Sequence, residues 1–298
     1  MKTNQFLVVN SFAEKTFDGN PAAVFIDAAE VDDLTMRSIA KQINLVETVF
    51  IHPVTKANAD FYFRYFTPAE ELPIAGHPTI AAILALIKCQ KINMTEKADF
   101  IIQTNAGNLK IKITENQFGP VVMMEQPQPQ FLPLMTDRYK VADIFGLNED
   151  DLMPDLPVQP VSTGLGHLIV PLKSLSALMR VQRKIEPLRN FCKGIGIHEA
   201  QLFTFETYDS NKDLHTRNIC PREGIEDPGC GVGNGALGAY LLEHYYQSQT
   251  KVQLTVEQGH IVDMPCTIKI LAEKENNMIN LWIGGNAKVM IEGMFHIE

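Results

Sequence analysis

The sequence predicts an α+β protein built from two similar halves, each a curled or barrel-like β-sheet around a central buried α-helix. Three observations lead to this prediction. Short strand-like runs bounded by turn residues dominate the 298-residue chain, and only a few helical segments interrupt them. The order of these signals in the first half returns in the second half after about 152 to 155 residues. Two segments, 80–87 and 235–242, are apolar on nearly every face, and such a helix has to be buried on all sides.

The predicted elements of the first half follow one another closely. A turn, Asp18-Gly-Asn-Pro21, separates the first two strands, because glycine, asparagine and proline favour chain reversal. The predicted order is strand 6–10, strand 22–26, helix 31–42, strand 47–51, strand 61–66, helix 78–88, and strands 100–103, 109–113 and 121–125.

A proline-rich stretch at residues 126–133 marks the passage to a second half that repeats this order. The matched features are Asn10 with Ser162 before a strand at 168–171, the strand at Glu47 with one near Gln201, and the Gly76 turn and helix with Gly231 and a helix at 236–246. We therefore expect an internal duplication. Its domains are residues 1–125, completed by a C-terminal strand at 287–298, and residues 126–286.

The bulk composition is that of a soluble globular protein, with 45% hydrophobic and 20% charged residues. The formal net charge of −9 repels phosphate backbones, so we expect no nucleic-acid partner. The longest apolar run, 80–87, is too short to cross a bilayer, and the N-terminus lacks the apolar core of a signal peptide. Five scattered cysteines indicate neither a disulfide framework nor a zinc ribbon, and a reducing cytoplasm is the expected location.

Both apolar helices begin at a glycine-containing turn, at Gly76 and Gly231. The first N–H groups of a helix have no partner within it and carry a partial positive charge. Two such ends facing each other would bind an anion. The alternative is that the glycines only permit close packing.

Glu47 is the strongest candidate for proton transfer. Its neighbours Leu45, Val46, Val49 and Phe50 are apolar, and poor hydration raises the pKa of a carboxyl group, which suits a general acid/base near neutral pH. The alternative is a glutamate on an edge strand that faces water.

His77 precedes Pro78 at the entrance to the first buried helix. The positive helix end disfavours protonation of the imidazole and favours a neutral donor. The alternative is a histidine that only caps the helix.

Asp227 and Cys230 lie in the glycine-rich turn before the second buried helix. The helix end could give Cys230 thiolate character, whereas Asp227 mirrors His77 in the repeat. The alternatives are an aspartate that opens a turn before Pro228 and a buried, inert cysteine.

No motif points to a cofactor or a metal. The run Gly231-x-Gly233-x-x-Ala236 is not preceded by the hydrophobic strand that a dinucleotide-binding turn requires. A phosphate-binding loop of the Gly-x-x-x-x-Gly-Lys type does not occur, and the eight histidines show no ligand spacing.

Taken together, four motifs in this order resemble the PhzF-like phenazine-biosynthesis family over nearly the whole chain. They are Phe17-Asp-Gly-Asn-Pro-Ala-Ala-Val-Phe, Asn44-Leu-Val-Glu47-Thr, Arg64-Tyr-Phe-Thr-Pro followed by Gly76-His77-Pro-Thr, and Glu226-Asp227-Pro followed by Gly235-Ala-Leu-Gly-Ala-Tyr-Leu.

The resemblance implies the diaminopimelate-epimerase fold, with the active site in the cleft between two similar domains, a homodimer and no cofactor. In the family's phenazine-pathway member, the glutamate matching Glu47 moves a proton between carbons of a dihydro-hydroxyanthranilate. The residues matching His77 and Asp227 hold that substrate. We therefore expect an isomerase in a biosynthetic process, acting on a small anionic or amino-carboxylate substrate. The substrate-binding candidates are Gly76, His77, Asp227, Cys230, Gly231 and Val232.

One position departs from the pattern. The phenazine-pathway member has a serine where this chain has Val232, and losing that hydroxyl puts the phenazine substrate in doubt. In related epimerases a catalytic cysteine occupies the second turn, where Cys230 falls, whereas their other cysteine falls near Ala75. This leaves two alternatives, an epimerase or racemase that uses Glu47 and Cys230 as opposed bases, and a binding protein without turnover.

Overall fold

The computed structural model describes residues 2–276 and 278–297, and of Lys2 only the backbone. The chain divides into two compact units. The first contains residues up to Glu125 together with the segment from Gly284 onward, and the second contains Gln126–Ile283.

The strands of the described residues are β1 (Lys2–Ser11), β2 (Asn20–Phe25), β3 (Glu47–His52), β4 (Phe61–Phe66), β5 (Glu71–Leu72), β6 (Asp99–Thr104), β7 (Gly107–Asn116), β8 (Gly119–Gln126), β9 (Gln130–Phe131), β10 (Gln159–Ser162), β11 (Gly166–Pro171), β12 (Glu199–Thr204), β13 (Leu214–Cys220), β14 (Ile225–Asp227), β15 (Lys251–Gln258), β16 (Cys266–Glu275) and β17 (Met278–Ile297). The α-helices are α1 (Asp33–Ile43), α2 (Gly76–Lys88), α3 (Arg138–Ile144), α4 (Leu175–Arg180), α5 (Ile185–Gly194) and α6 (Gly231–His244).

In the first unit, eight strands form a closed barrel. The pairs run β1–β2, β2–β3, β3–β4, β4–β6, β6–β7, β7–β8, β8–β17 and β17–β1. The β2–β3 and β4–β6 pairs are parallel, and the helices α1 and α2 make the two crossovers. A closed barrel leaves no strand edge open to another chain.

Helix α2 is the core of this barrel. Every residue from His77 to Leu86 is buried, and the helix packs against β1, β2 and β3. A helix without a polar face gains stability only when it is enclosed, as the sequence predicts. Helix α1 is amphipathic instead, and its Met36, Ile39 and Ala40 pack on the other face of the sheet, against Phe25 and Phe50.

The second unit repeats this order of pairing. The pairs β10–β11, β12–β13 and β15–β16 are antiparallel, and β11–β12 and β13–β15 are parallel. Helix α6 is buried on nearly all faces and packs against β10, β11, β12, β15 and β16. The side-chain amide of Gln128 pairs with the backbone of Ile279 on β17 in the way that a neighbouring strand would. Its oxygen accepts from the Ile279 N–H at 3.1 Å, and its nitrogen donates to the Ile279 carbonyl at 3.2 Å.

Three helices of the second unit, α3, α4 and α5, are absent from the sequence-based prediction. Each is short, at six to ten residues, and they pack with β11 and β12 into one apolar cluster. Their apolar positions are too few to show a helical period in the sequence.

The fold class predicted from the sequence is confirmed, and the strand expected near Gln201 is β12, which begins two residues earlier at Glu199. The sequence matched the strand at Glu47 with one near Gln201. In the structure Glu47 is the first residue of β3 and pairs with β2, whereas Glu199 is the first residue of β12 and pairs with β11. Glu199 is therefore the structural counterpart of Glu47.

Within the described ranges, no helix combines the length and apolarity needed to cross a membrane.

We expect Gly284→Ala to destabilise the first unit. Gly284 is buried in β17, and a Cβ at this position would overlap the carbonyl oxygen of Val122 on β8 and lie 2.6 Å from the sulfur of Met123. Backbone displaced at the seam of a closed barrel should lower the free energy of unfolding by about 3 kcal/mol, which denaturant titration measures. Gly194→Ala is the control, because a Cβ there has no neighbour within 4 Å among the described atoms. Equal stability of the two variants would contradict this account.

Candidate active site

Glu47 stands at the start of β3, close to the first turn of α2. Its carboxylate Oε2 is 3.4 Å from Nδ1 of His77, and its side chain is only 15% exposed. The poorly hydrated setting predicted from the sequence is therefore present, although Val46 beside it is exposed. The structure brings these two candidate residues together within one unit.

His77 is buried at the second position of α2, and burial lowers the pKa of its imidazole to about 4, although a hydrogen bond to the Pro21 carbonyl opposes the shift. The ring is therefore neutral at pH 7. Its Nε2 has no hydrogen-bond partner in the described part of the chain, so Nδ1 makes the bond to Pro21 and carries the proton. Nε2 is then an acceptor, where the sequence favoured a donor.

The first turn of α2 is fixed by buried hydrogen bonds. The Ser11 hydroxyl donates to the His77 carbonyl at 2.6 Å, and the Thr79 hydroxyl donates to the Ala75 carbonyl at 2.7 Å. The Tyr65 hydroxyl lies 2.6 Å from that of Thr79 and donates to it, because the Thr79 hydrogen is already used. These bonds tie the turn to β1 and β4.

The N-terminus of α2 has backbone donors but no side-chain cap. The N-cap residue, Ala75, has no polar side chain, and the first turn contains no acidic residue. A Cβ added at Gly76 would have Met124 at 3.9 Å as its nearest neighbour in the described atoms. Close packing within this unit therefore does not require Gly76.

Asp227, the last residue of β14, precedes the N-terminus of α6. Its Oδ1 accepts from the Gly229 N–H at 2.9 Å. Burial raises the pKa of the Asp227 carboxyl to about 6, with a smaller contribution from the charge of Glu199. Asp227 therefore changes its charge near neutral pH.

Cys230 is the N-cap of α6, and its sulfur accepts from the Gly233 N–H at 3.2 Å. The sequence raised the expectation of thiolate character, and this is wrong for the resting protein. Burial, followed by the charges of Glu199 and Asp227, raises the pKa of the Cys230 thiol well above its usual range. These effects outweigh the helix end. Gly231 and Val232 follow as the first two residues of α6, and Val232 takes the place that His77 has in α2.

Gly233 allows α6 to approach the sheet closely. A Cβ at this position would lie 2.5 Å from Oε1 of Gln201 and 2.9 Å from Nδ2 of Asn218. Behind it, Asn218 donates to Gln201 at 2.9 Å, and Asn234 donates to Gln258 at 2.7 Å. This buried amide network holds the turn rigidly.

Two further residues of this site, His167 and Glu199, were missed in the sequence. His167 Nε2 is 3.0 Å from Glu199 Oε2, and the Cys230 sulfur lies 3.7 Å from the former and 3.9 Å from the latter. The three residues are 32 and 31 positions apart, so no local motif links them. The signal that could have found Glu199 is the repeat itself, aligned on the strand starts.

Three groups of the described side chains could hold a metal ion. Each places its ligand atoms within 4.8 Å, and they are His167–Glu199–Cys230, His215–Glu257–His260 and Glu199–Cys220–Glu223. In the first two, histidine and glutamate already hydrogen-bond at 3.0 and 2.8 Å, which explains the proximity without a metal.

The candidate residues thus form two clusters, one in each unit. Glu47, Gly76 and His77 lie together in the first unit. Asp227, Cys230, Gly231 and Val232 lie together in the second. That both clusters line one cleft, with their helix N-termini opposed, stays a prediction.

Comparison with known proteins gives consistent matches over the whole chain. A family model described as phenazine biosynthesis-like protein (PhzC-PhzF) matches residues 9–293. The uncharacterized isomerase YfhB of Bacillus subtilis is 34% identical over 295 residues, which cover 98% of this chain and 96% of the relative. A crystal structure of a PhzF-family phenazine biosynthesis protein from Bacillus anthracis is 31% identical, with a TM-score of 0.91 and 100% of each chain covered.

A more distant structure extends the likeness in fold alone. A hydroxyproline epimerase from Agrobacterium vitis superimposes with a TM-score of 0.67 at 13% identity, covering 98% of this chain and 92% of that one. The fold is therefore shared with racemase-like proteins.

We expect Asp227→Asn to stabilise the protein at neutral pH. Because the folded-state pKa of about 6 lies above the ordinary 3.8, ionisation of Asp227 costs folding free energy as pH rises through 6. The free energy of unfolding of the variant should exceed that of the wild type by about 1–3 kcal/mol at pH 7, a range reduced by the partial exposure of the side chain. This difference should vanish below about pH 4. Denaturant titrations from pH 4 to 8 measure it. Asp99→Asn, on the exposed start of β6, is the control, and a gain independent of pH would contradict the assignment.

Proposed function

Because the chain belongs to the phenazine biosynthesis-like PhzC-PhzF family, we propose that it is a cofactor-independent isomerase that moves a proton on a small carboxylate-bearing substrate, with Glu47 as general acid/base. The observation that carries this proposal is the pairing of Glu47 with His77 at the uncapped N-terminus of α2. Relatives of the chain are isomerases by name.

Glu47 can accept the proton that leaves a substrate carbon. Its carboxylate is mostly shielded from water, and His77 beside it is neutral at pH 7. Removal of a carbon-bound proton leaves negative charge on the substrate. The backbone N–H groups of the first turn of α2 are suited to stabilise that charge.

His77 and Asp227 indicate the class of substrate. His77 Nε2 is an acceptor that needs an N–H or O–H group, and Asp227 is mostly ionised at pH 7, which favours an ammonium group. A carboxylate of the substrate would bind at the helix N-termini. These preferences describe a small amino or hydroxy carboxylate, and Val232 removes the hydroxyl expected for the phenazine intermediate.

Family resemblance also supports a homodimer in a biosynthetic process, and the five free cysteines support a cytoplasmic location. Sedimentation equilibrium measures the oligomeric state.

A panel of small carboxylates in deuterated water tests the function. Proline, serine, alanine, glutamate, malate and lactate would each be incubated with the protein, and loss of carbon-bound hydrogen followed by proton NMR. Exchange at one carbon of one compound supports an isomerase. A compound that binds in calorimetry without exchange would identify a binding protein without turnover.

We expect Glu47→Gln to abolish this exchange while leaving affinity nearly intact. Glutamine keeps the size of the side chain but cannot accept a proton, and general acid/base catalysis contributes about 10²- to 10⁴-fold. His77→Ala should differ by raising KM as well as lowering kcat, because it removes a substrate contact. Glu71→Gln is the control, a glutamate on β5 that pairs with Arg64 instead. About half the wild-type rate in Glu47→Gln would exclude Glu47 as the base.

A further inference from the structure

His215, Glu257 and His260 form a cluster of possible metal ligands in the second unit, outside the residues that the proposed function uses. One ligand atom from each of the three side chains lies within 4.8 Å of the other two. His215 on β13 and Glu257 on β15 are opposite residues of a parallel strand pair, and both are buried. His260 begins a short 3₁₀ turn, His260–Val262, just after β15. The parallel pairing thus brings together residues that are 42 positions apart in the sequence.

Glu257 holds the His215 ring in one orientation. Its Oε2 lies 2.8 Å from Nδ1 of His215, and its two oxygens also accept from the backbone N–H groups of Tyr208 at 2.9 Å and Asp209 at 2.7 Å. Because an ionised carboxylate can only accept, the hydrogen of the His215 ring is on Nδ1. Histidines that bind metal ions usually show this arrangement, with one ring nitrogen donating to a carboxylate and the other bound to the ion.

The other ring nitrogen of His215, Nε2, is the atom that points to a ligand. The side chain is fully buried, and Nε2 has no hydrogen-bond partner within the described residues. A buried polar atom without a partner is costly, and such atoms are rare in folded proteins. The hydrogen bond to Glu257 explains why the ring lies beside that carboxylate, but it leaves Nε2 unsatisfied. An ion bound at Nε2 would remove this cost.

A second imidazole lies next to the first, at a place that solvent can reach. The ring centroids of His215 and His260 are 4.9 Å apart. His260 is held there by Gly259, whose φ is 87° and where a Cβ would overlap the carbonyl oxygen of Met264. The ring of Tyr208 lies 5.3 Å from that of His215 and 5.0 Å from that of His260, and this tyrosine is 60% exposed. An ion can therefore enter beside Tyr208 and His260.

We propose that His215 and His260 bind a divalent transition-metal ion of the zinc class, with Glu257 as the carboxylate that orients His215 and with water completing the coordination. Imidazole nitrogens favour zinc, copper and nickel, whereas magnesium and calcium prefer oxygen ligands. The ion has a structural role, because it joins the start of β13 to the turn after β15. This segment also includes Gln258, whose side chain donates to the Asp227 carbonyl at 2.8 Å. The site is independent of the proposed function, which needs no metal.

Zinc titration of the full chain tests the site. The protein would be treated with EDTA, dialysed and titrated with zinc chloride in a calorimeter. We expect saturable binding by the wild type and an affinity at least about tenfold lower in His260→Gln, which loses one imidazole but replaces only a half-buried side chain. Glu257→Gln should lower the affinity by about 10- to 100-fold, because His215 loses its charged partner. His244→Gln is the matched control, a half-buried histidine of α6 that hydrogen-bonds with Gln159 and should leave zinc affinity unchanged.

X-ray absorption of the zinc-loaded chain identifies the ligands. We expect a first shell of nitrogen and oxygen at about 2.0–2.1 Å, with the outer-shell scattering of imidazole rings. Sulfur at about 2.3 Å would place the ion at Cys230 or another cysteine and would overturn the proposal. Equal zinc affinity in His260→Gln and the wild type, or no saturable binding at all, would also overturn it and leave His215 as a histidine of the core.

Stability and exchange measurements separate the structural role from a catalytic one. An ion that binds only the folded chain raises its stability, so zinc should raise the denaturant midpoint of the wild type and of His244→Gln but not of His260→Gln. Hydrogen exchange on a substrate, which the proposed function assigns to Glu47, should persist after treatment with EDTA. Loss of exchange in EDTA that zinc restores would contradict a purely structural ion, and an unchanged midpoint in the wild type would contradict the site.

Discussion

A helix that is apolar on every face has to be enclosed on every side, and the rest of each unit follows from that requirement. Around α2 the enclosure is a closed eight-strand barrel. Burying the helix body leaves its first N–H groups as the polar end of an otherwise apolar element. Since Ala75 offers no capping side chain, these donors remain suited to a ligand. The enclosed helix thus stabilises the core and also presents its N-terminus to the proposed site.

The two units share this arrangement of strands around a buried helix, and burial favours the neutral form of the titratable groups near the start of both helices. In the first unit burial holds His77 neutral beside Glu47. In the second unit burial keeps Cys230 protonated and moves the titration of Asp227 toward neutral pH. Such perturbed pKa values, lowered at His77 and raised at Asp227, are typical of sites of acid/base chemistry.

Sequence patterns predicted the elements whose signal is local. The apolar run at 80–87 and the strand 61–66 have periods that a short window reveals, and the structure places α2 and β4 there. Side chains that contact each other across 30 or more positions leave no such signal, and His167 was therefore missed. For the same reason the sequence matched Glu47 with a position near Gln201 rather than with Glu199. The sequence also could not predict the charge state of Cys230. Burial and the charges of Glu199 and Asp227 raise the pKa of its thiol, and they outweigh the effect of the helix end.

The same groups that suit the site for chemistry make it costly to fold. The Nε2 atom of His77 and the Thr48 hydroxyl are buried without hydrogen-bond partners in the described residues, and each such atom costs about 1–3 kcal/mol. Ionised Asp227 adds to this cost above pH 6. A ligand that donates a hydrogen bond to Nε2 of His77 would remove the cost of that buried atom. Binding of a ligand at His77 should therefore raise the free energy of unfolding.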